Sequence, residues 1–185
     1  MLLKRLSVFL YIFLIVISCE KEDDNLGIDN NPFKDRIEYN GLEIDNVRYE
    51  TPNAFLEIWG SNDSLSSNFD GYLTDGNYEK LINPPKVKDY SILVYFDLNS
   101  PSLTKLAPGT YLFVNSNERI PGIFNAASHI RIILNNKTEQ YNITSGTITV
   151  EENKGYILLE YELVLNKAFE VSGQFTGLLD LKLPY

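Results

Sequence analysis

Val171-Ser172-Gly173-Gln174-Phe175-Thr176-Gly177-Leu178-Leu179-Asp180-Leu181-Lys182-Leu183 reads as one strand of a half-buried antiparallel sheet. Val171, Phe175, Leu179, Leu181 and Leu183 share one face, and Ser172, Gln174, Thr176, Asp180 and Lys182 share the other, with Leu178 out of pattern. Successive side chains of a strand point to opposite sides, so this alternation assigns one face to a core and one to water. Phe175 and Leu181 are therefore expected in the core. Gly173 and Gly177 fall on the apolar face, where a barrel corner or close sheet packing uses a missing side chain.

Upstream the same signal repeats. Lys154-Gly155 separates strands over Thr147–Glu151 and Tyr156–Leu165, and Asn166–Glu170 make the next turn. Ile37 to Ile44 and Val47 onward flank Asp45-Asn46, two residues that tolerate the left-handed conformation of a tight hairpin turn. Phe55–Trp59, Asn68–Thr74, Ser91–Leu98, Thr110–Asn115, His129–Leu134 and Ile143–Glu151 are the remaining expected strands. Loops are expected over 75–89, 99–109 and 117–128, each carrying proline. An apolar period of 3.6 is not sustained anywhere in the domain. The chain is expected to be all-β, as an antiparallel two-sheet sandwich or a flattened, lipocalin-like barrel, and the pattern leaves these two open.

The N-terminus has another logic. Lys4 and Arg5 precede Leu6 to Ile17, an apolar run broken only by Ser7. It is shorter than the roughly 20 residues that cross a bilayer, so it reads as a secretion signal over residues 1–18. Val16-Ile17-Ser18-Cys19 resembles a bacterial lipobox, which implies acylation of Cys19 and cleavage before it; Cys19 is the sole cysteine. Glu20-Lys21-Glu22-Asp23-Asp24 directly after it resembles the surface-export signal of Bacteroidota lipoproteins. That resemblance implies an outer-membrane, lipid-anchored location at the cell surface, with the periplasmic face as the alternative. Residues 19–36 are expected to be a lipidated, flexible polar tether, and residues 37–185 one all-β domain.

Composition narrows the function. The chain has 185 residues and a net charge of −9, so the basic footprint of a nucleic-acid partner is missing. One cysteine and one histidine, His129, leave no thiolate cluster and no two-histidine metal site; no cofactor is expected. Asp23-x-Asn25-x-Gly27-x-Asp29 has its glycine and its twelfth residue, Lys34, wrong for a calcium loop. His129 is expected on the solvent face of its strand beside Arg131, without a nucleophile elbow. Glu160 and Glu162 share one sheet face, as a carboxylate pair that cleaves glycosides would, and equally as the wet side of a strand. Phe55, Glu57 and Trp59 form an expected outer strip if Leu56 and Ile58 point inward, a surface for a sugar or a protein. Asp63-Ser64-Leu65 resembles the Bacteroidota O-glycosylation motif, with Ser64 as acceptor.

Leu106-x-x-Gly109-x-Tyr111, Ser145-Gly146-Thr147-Ile148 and Ser172-Gly173-x-Phe175-x-Gly177 resemble, in style, the small all-β lipoproteins of the Bacteroidota. That resemblance implies the fold more than an activity. Three functions fit these features: a non-enzymatic surface lipoprotein that binds a glycan or protein partner or serves the envelope, a lipocalin-like carrier of a small ligand, and a small carbohydrate-active enzyme. The first is preferred. A large apolar cavity would favour the carrier, convergent acids in a cleft the enzyme, and a groove over a filled core the binding protein.

Overall fold

The computed structural model describes residues 30–61, 65–77 and 90–182, and its folded unit starts at Asn31. Cys19, the export residues Glu20, Lys21, Glu22, Asp23 and Asp24, and Ser64 lie outside the described residues. Every regular element among those described is a strand: β1 (Gly41–Ile44), β2 (Val47–Glu50), β3 (Asn53–Ser61), β4 (Ser67–Thr74), β5 (Ile92–Ser100), β6 (Gly109–Val114), β7 (Ile123–Asn125), β8 (His129–Leu134), β9 (Lys137–Asn153), β10 (Tyr156–Leu165), β11 (Glu170–Leu178) and β12 (Asp180–Lys182). They join in the order β12-β3-β4-β5-β7-β6-β9-β10-β11-β1-β2, with β8 bridging β5 and β9. Strands β5, β7, β6, β9 and β8 thereby close on themselves as a barrel, and the other strands extend it. The fold is all-β as expected, and the closed ring plus extension is compatible with both the flattened barrel and the sandwich.

Local chemistry sets the corners. Asp45 and Asn46 have φ of 51° and 62°, as expected of the β1–β2 turn, and Lys154-Gly155 turn β9 into β10 at φ of 53° and 83°. β9 is longer than its apolar pattern suggested. Its first residues pair with β8 and its later ones with β6 and β10. The hand-over is a bulge: the β9–β10 register shifts at Val164/Leu165, beside Gly146 at φ 146°. A bulge bends and twists its strand, which lets one strand serve two parts of the barrel. The opening residues of β9 are polar and mostly exposed, so no alternation announced them. β7 was hidden in an expected loop, being three residues that are all buried.

The single C-terminal strand expected over 171–183 is split. β11 pairs with β10 and β1, whereas β12 lies parallel to β3, with Leu181 opposite Leu56. Val171 and Phe175 are buried as expected, but Leu181 is 50% exposed, which corrects its assignment to the core. Leu181 lines a small hollow with Leu56, Leu106, Ile157 and Leu179, because the chain leaves the core at Leu179 to reach the β3 edge.

Residues 31–36, expected as the end of the tether, belong to the folded unit. They fold onto the outer face of β9, β10 and β11. Asn31 Oδ1 accepts from the Phe33 amide (3.0 Å) and from Thr176 Oγ1 (3.2 Å), and Arg36 holds Glu151 through both guanidinium arms at 2.7 and 2.8 Å. Leu158 pairs with both Glu151 and Thr176, so this segment lies across Leu158. Phe33 is 5% exposed and Leu158 1%, and burying an aromatic ring and a leucine here gives the segment its apolar reason to stay folded.

Inside, aromatic rings cross the barrel. Phe96 of β5 meets Phe124 of β7 at 5.9 Å and Tyr161 of β10 at 5.4 Å, both edge to face. Such pairs prefer tilted geometry because ring edges are positive and faces negative. Tyr111 is 1% exposed and donates to the Ala107 carbonyl at 2.8 Å, so the Leu106-x-x-Gly109-x-Tyr111 motif pins its own loop. Tyr161 passes directly over Gly173, where an added Cβ would stand 2.1 Å from a ring carbon. Gly173→Ala should therefore cost about 2 kcal/mol, within the usual range for overpacking, read as a lower urea midpoint at unchanged m-value. A neutral substitution would mean that the Tyr161 ring is free to move.

Candidate functional site

The open concavity lies on the outer face of β9, β10, β11, β1 and β2. Cross-strand register builds it: Thr147, Glu162, Ser172, Glu43 and Arg48 stand in one row across these five strands. The neighbouring row carries Thr149, Glu160 and Gln174. Ser172 and Thr147 are short, whereas Glu43 and Glu162 on either side of Ser172 are long, so a trough runs between two carboxylate walls. The Cα atoms of Glu43 and Glu162 are two strand spacings apart, about 10 Å. One hollow of about 800 Å³ runs towards Phe169 and the Asp45-Asn46 turn. A second of about 580 Å³ runs towards Tyr39 and shares Glu43, Thr147, Glu162 and Ser172 with the first. Gly146 belongs to the floor. Its φ of 146° is glycine territory, and a Cβ there would meet the Glu162 carbonyl oxygen at 2.3 Å.

The ends are held in place. The Arg48 guanidinium lies 4.0 Å from the centre of the Tyr39 ring and 3.3 Å from Glu38. Gln174 donates to the Tyr39 carbonyl at 3.1 Å, and the Asn40 side chain exchanges hydrogen bonds with the Thr176 backbone at 3.0 and 2.8 Å. These bonds continue the β1–β11 ladder beyond its last residue and hold Tyr39 against the trough. Arg36 lies 3.8 Å from Glu160 as well as on Glu151, and its hydrogen bonds and charge pull the Glu151 carboxyl below the usual range. At the other end Phe169 packs on Tyr141 at 6.1 Å.

The aromatic strip Phe55, Glu57, Trp59 lies on a different face, over β3, β4, β5 and β8. Leu56 points into the core as expected, with Ile58 half-buried against it. The strip is not the open platform that the alternation suggested. Trp59 is 55% exposed, but Glu57 is 3% exposed and Phe55 is half-buried. Register explains the difference. Glu57, Asp70 and Asp97 form one row across β3, β4 and β5, and Phe55, Tyr72, Tyr95 and His129 form the next. Tyr95 donates to Asp70 at 2.8 Å, and Tyr72 lies between Glu57 (3.2 Å) and Asp70 (3.4 Å). Trp59 also bonds Asp70. Burial, with the charges of Asp97 and Glu57 adding to it, pushes the Asp70 carboxyl up to about 6 despite the Tyr95 and Trp59 hydrogen bonds. His129 stacks on Tyr95 at 5.1 Å, its Nδ1 is 2.9 Å from the Ala127 carbonyl, and burial holds its pKa down. It is thus a half-buried member of the network and not a solvent-facing residue.

Among the described residues, no group of three or more histidine, cysteine or acidic side chains is arranged to hold a metal ion. Glu160 and Glu162 do share a face, as the sequence required. What the sequence withheld is that Glu43, Ser172, Gln174 and Arg48 join them, because register between distant strands has no local signal. Comparison with known protein families, with curated proteins and with solved structures returns no match for this chain.

Proposed function

We propose that this protein is a lipid-anchored, non-enzymatic binding module of the outer-membrane surface, and that the β9–β10–β11–β1–β2 trough holds a glycan chain. The observation that carries the reading is the trough itself: two joined hollows floored by Thr147, Thr149 and Ser172, walled by Glu43, Glu162, Glu160 and Gln174, and ended by Tyr39 and Phe169. Carboxylates, amides and hydroxyls are what a polyol needs for hydrogen bonding, and rings give its apolar faces a surface. A carrier is favoured less, because the strands direct Phe69, Phe96, Tyr111, Phe124 and Tyr161 into the interior. Glycoside cleavage is favoured less too, since it needs two acids set across one substrate, and Glu160 is drawn to Arg36 while Glu162 stands on an open face.

Three experiments test the reading. Glu43→Ala with Glu162→Ala should reduce glycan binding at least about tenfold, the loss of about 1.4 kcal/mol, at unchanged melting temperature; full affinity in that variant would exclude the trough as the binding site. For the anchor, Cys19→Ala should abolish acylation and membrane partitioning. Alanine at Lys21, Glu22, Asp23 and Asp24 should keep the lipid but protect the domain from protease added to intact cells. Equal cleavage of the two forms would reduce the acidic run to a linker.

A further inference from the structure

We infer that the trough selects amine-bearing glycan chains over uronate or otherwise anionic ones, an inference that rests on the glycan reading above. Local charge carries it. Glu43, Asp45, Glu162 and Glu170 line the larger hollow, which no lysine or arginine among the described residues lines. Three cations around the trough have partners of their own. Arg36 is taken by Glu151 and Glu160, Arg48 by the Tyr39 ring and Glu38, and the Lys167 ammonium lies over the Tyr141 ring at 4.9 Å. Glu160 is therefore partly neutralised by Arg36, and Arg48, which lines the smaller hollow opposite Glu43, is drawn to Glu38 and the Tyr39 ring, so the excess negative charge lies at the larger hollow, on Asp45, Glu162 and Glu170 with Glu43. Like-signed walls around a cleft focus their field into it and raise the local concentration of the opposite charge. A glycan bearing protonated amines would add charge-assisted hydrogen bonds to Glu43 and Glu162, each roughly twice as strong as a neutral one. A uronate would place its carboxylates between two walls of their own sign, Glu43 and Glu162. A neutral chain keeps the hydroxyl bonds and the ring contacts and falls between.

The experiment is calorimetric titration of the full-length protein in detergent with four probes: a glucosamine oligomer without acetyl groups, a neutral glucose oligomer, a galacturonate oligomer and an oligolysine. At low ionic strength the glucosamine chain should bind at least about tenfold more tightly than the neutral one, and the galacturonate chain least. Because open charges are screened within about 10 Å at 0.1 M salt, that preference should shrink as salt is added. Glu43→Gln with Glu162→Gln keeps size and hydrogen bonding, so it should abolish the preference while neutral binding persists. Equal affinity for all three glycans, lost in the Glu43→Ala, Glu162→Ala variant, would overturn the charge selection and leave the glycan reading standing. Oligolysine bound as tightly as the glucosamine chain, with no neutral binding, would overturn the glycan reading and leave a cation-selective trough.

Discussion

Phe96→Ala should lower the unfolding free energy by about 3–5 kcal/mol, the usual cost of deleting a buried phenylalanine. Phe96 is 1% exposed and links three strands through its edge-to-face contacts with Phe124 and Tyr161. Those partners are themselves buried and cannot collapse into the space without pulling β7 or β10 inward, so a cavity remains. Domains of this size are stable by only about 5–15 kcal/mol, so this one deletion should remove at least about a fifth of the margin. Leu181→Ala is the control. On the sequence pattern it belongs to the same core, but at 50% exposure it should cost less than about 1 kcal/mol. Urea titration of both variants checks the pair. Equal losses would put Leu181 in the core and dissolve the distinction between strand face and strand depth.

Asp70→Asn should stabilise the protein at pH 7 by up to about 3 kcal/mol, since a tenfold change in proton affinity between the folded and unfolded states is worth about 1.4 kcal/mol. Folding raises the Asp70 pKa from 3.8 to about 6. The sign follows from proton binding. A carboxyl with a higher pKa in the folded state holds its proton more tightly there, so its contribution is fully present below the unfolded pKa and is lost as pH rises through the folded one. Stability of the native sequence should fall between about pH 4 and pH 6 by this group, and the asparagine variant should lack that segment of the slope. An amide can still accept the Tyr95 hydroxyl while removing like-charge repulsion from Glu57 and Asp97 in the same cross-strand row. Chemical denaturation across that pH range checks it. A variant less stable than the native protein at pH 7 would mean that the Asp70 charge is required by the network.

Much of the fold was legible because its signals are local. Asp45-Asn46 and Lys154-Gly155 turn where their φ preferences allow, and β8 and β10 run over the residues that alternation marked. The elements that escaped lack such a signal. β7 is too short to show a period, the start of β9 is polar on both faces, and Phe33 is buried on the outside of a sheet that alternation had given to water. The strip at Phe55, Glu57 and Trp59 was legible as a face but not as an environment, because the tyrosines and carboxylates that close around Glu57 come from β4 and β5.

The sequence alone determined the strand class, the hairpin turns at Asp45-Asn46 and Lys154-Gly155, the apolar side of the strands that alternate, and the acidic balance, since each depends on neighbours a few residues apart. Tertiary structure alone decided that Leu181 sits at a rim while Phe175 sits in the core, that residues 31–36 pack as part of the domain, and that Glu162 faces Glu43 across Ser172. The physical reason is the same in each case. Alternation reports the direction of a side chain, whereas its depth and its partners depend on register between strands that lie up to about 130 residues apart, and register is chosen by the packing of the whole barrel.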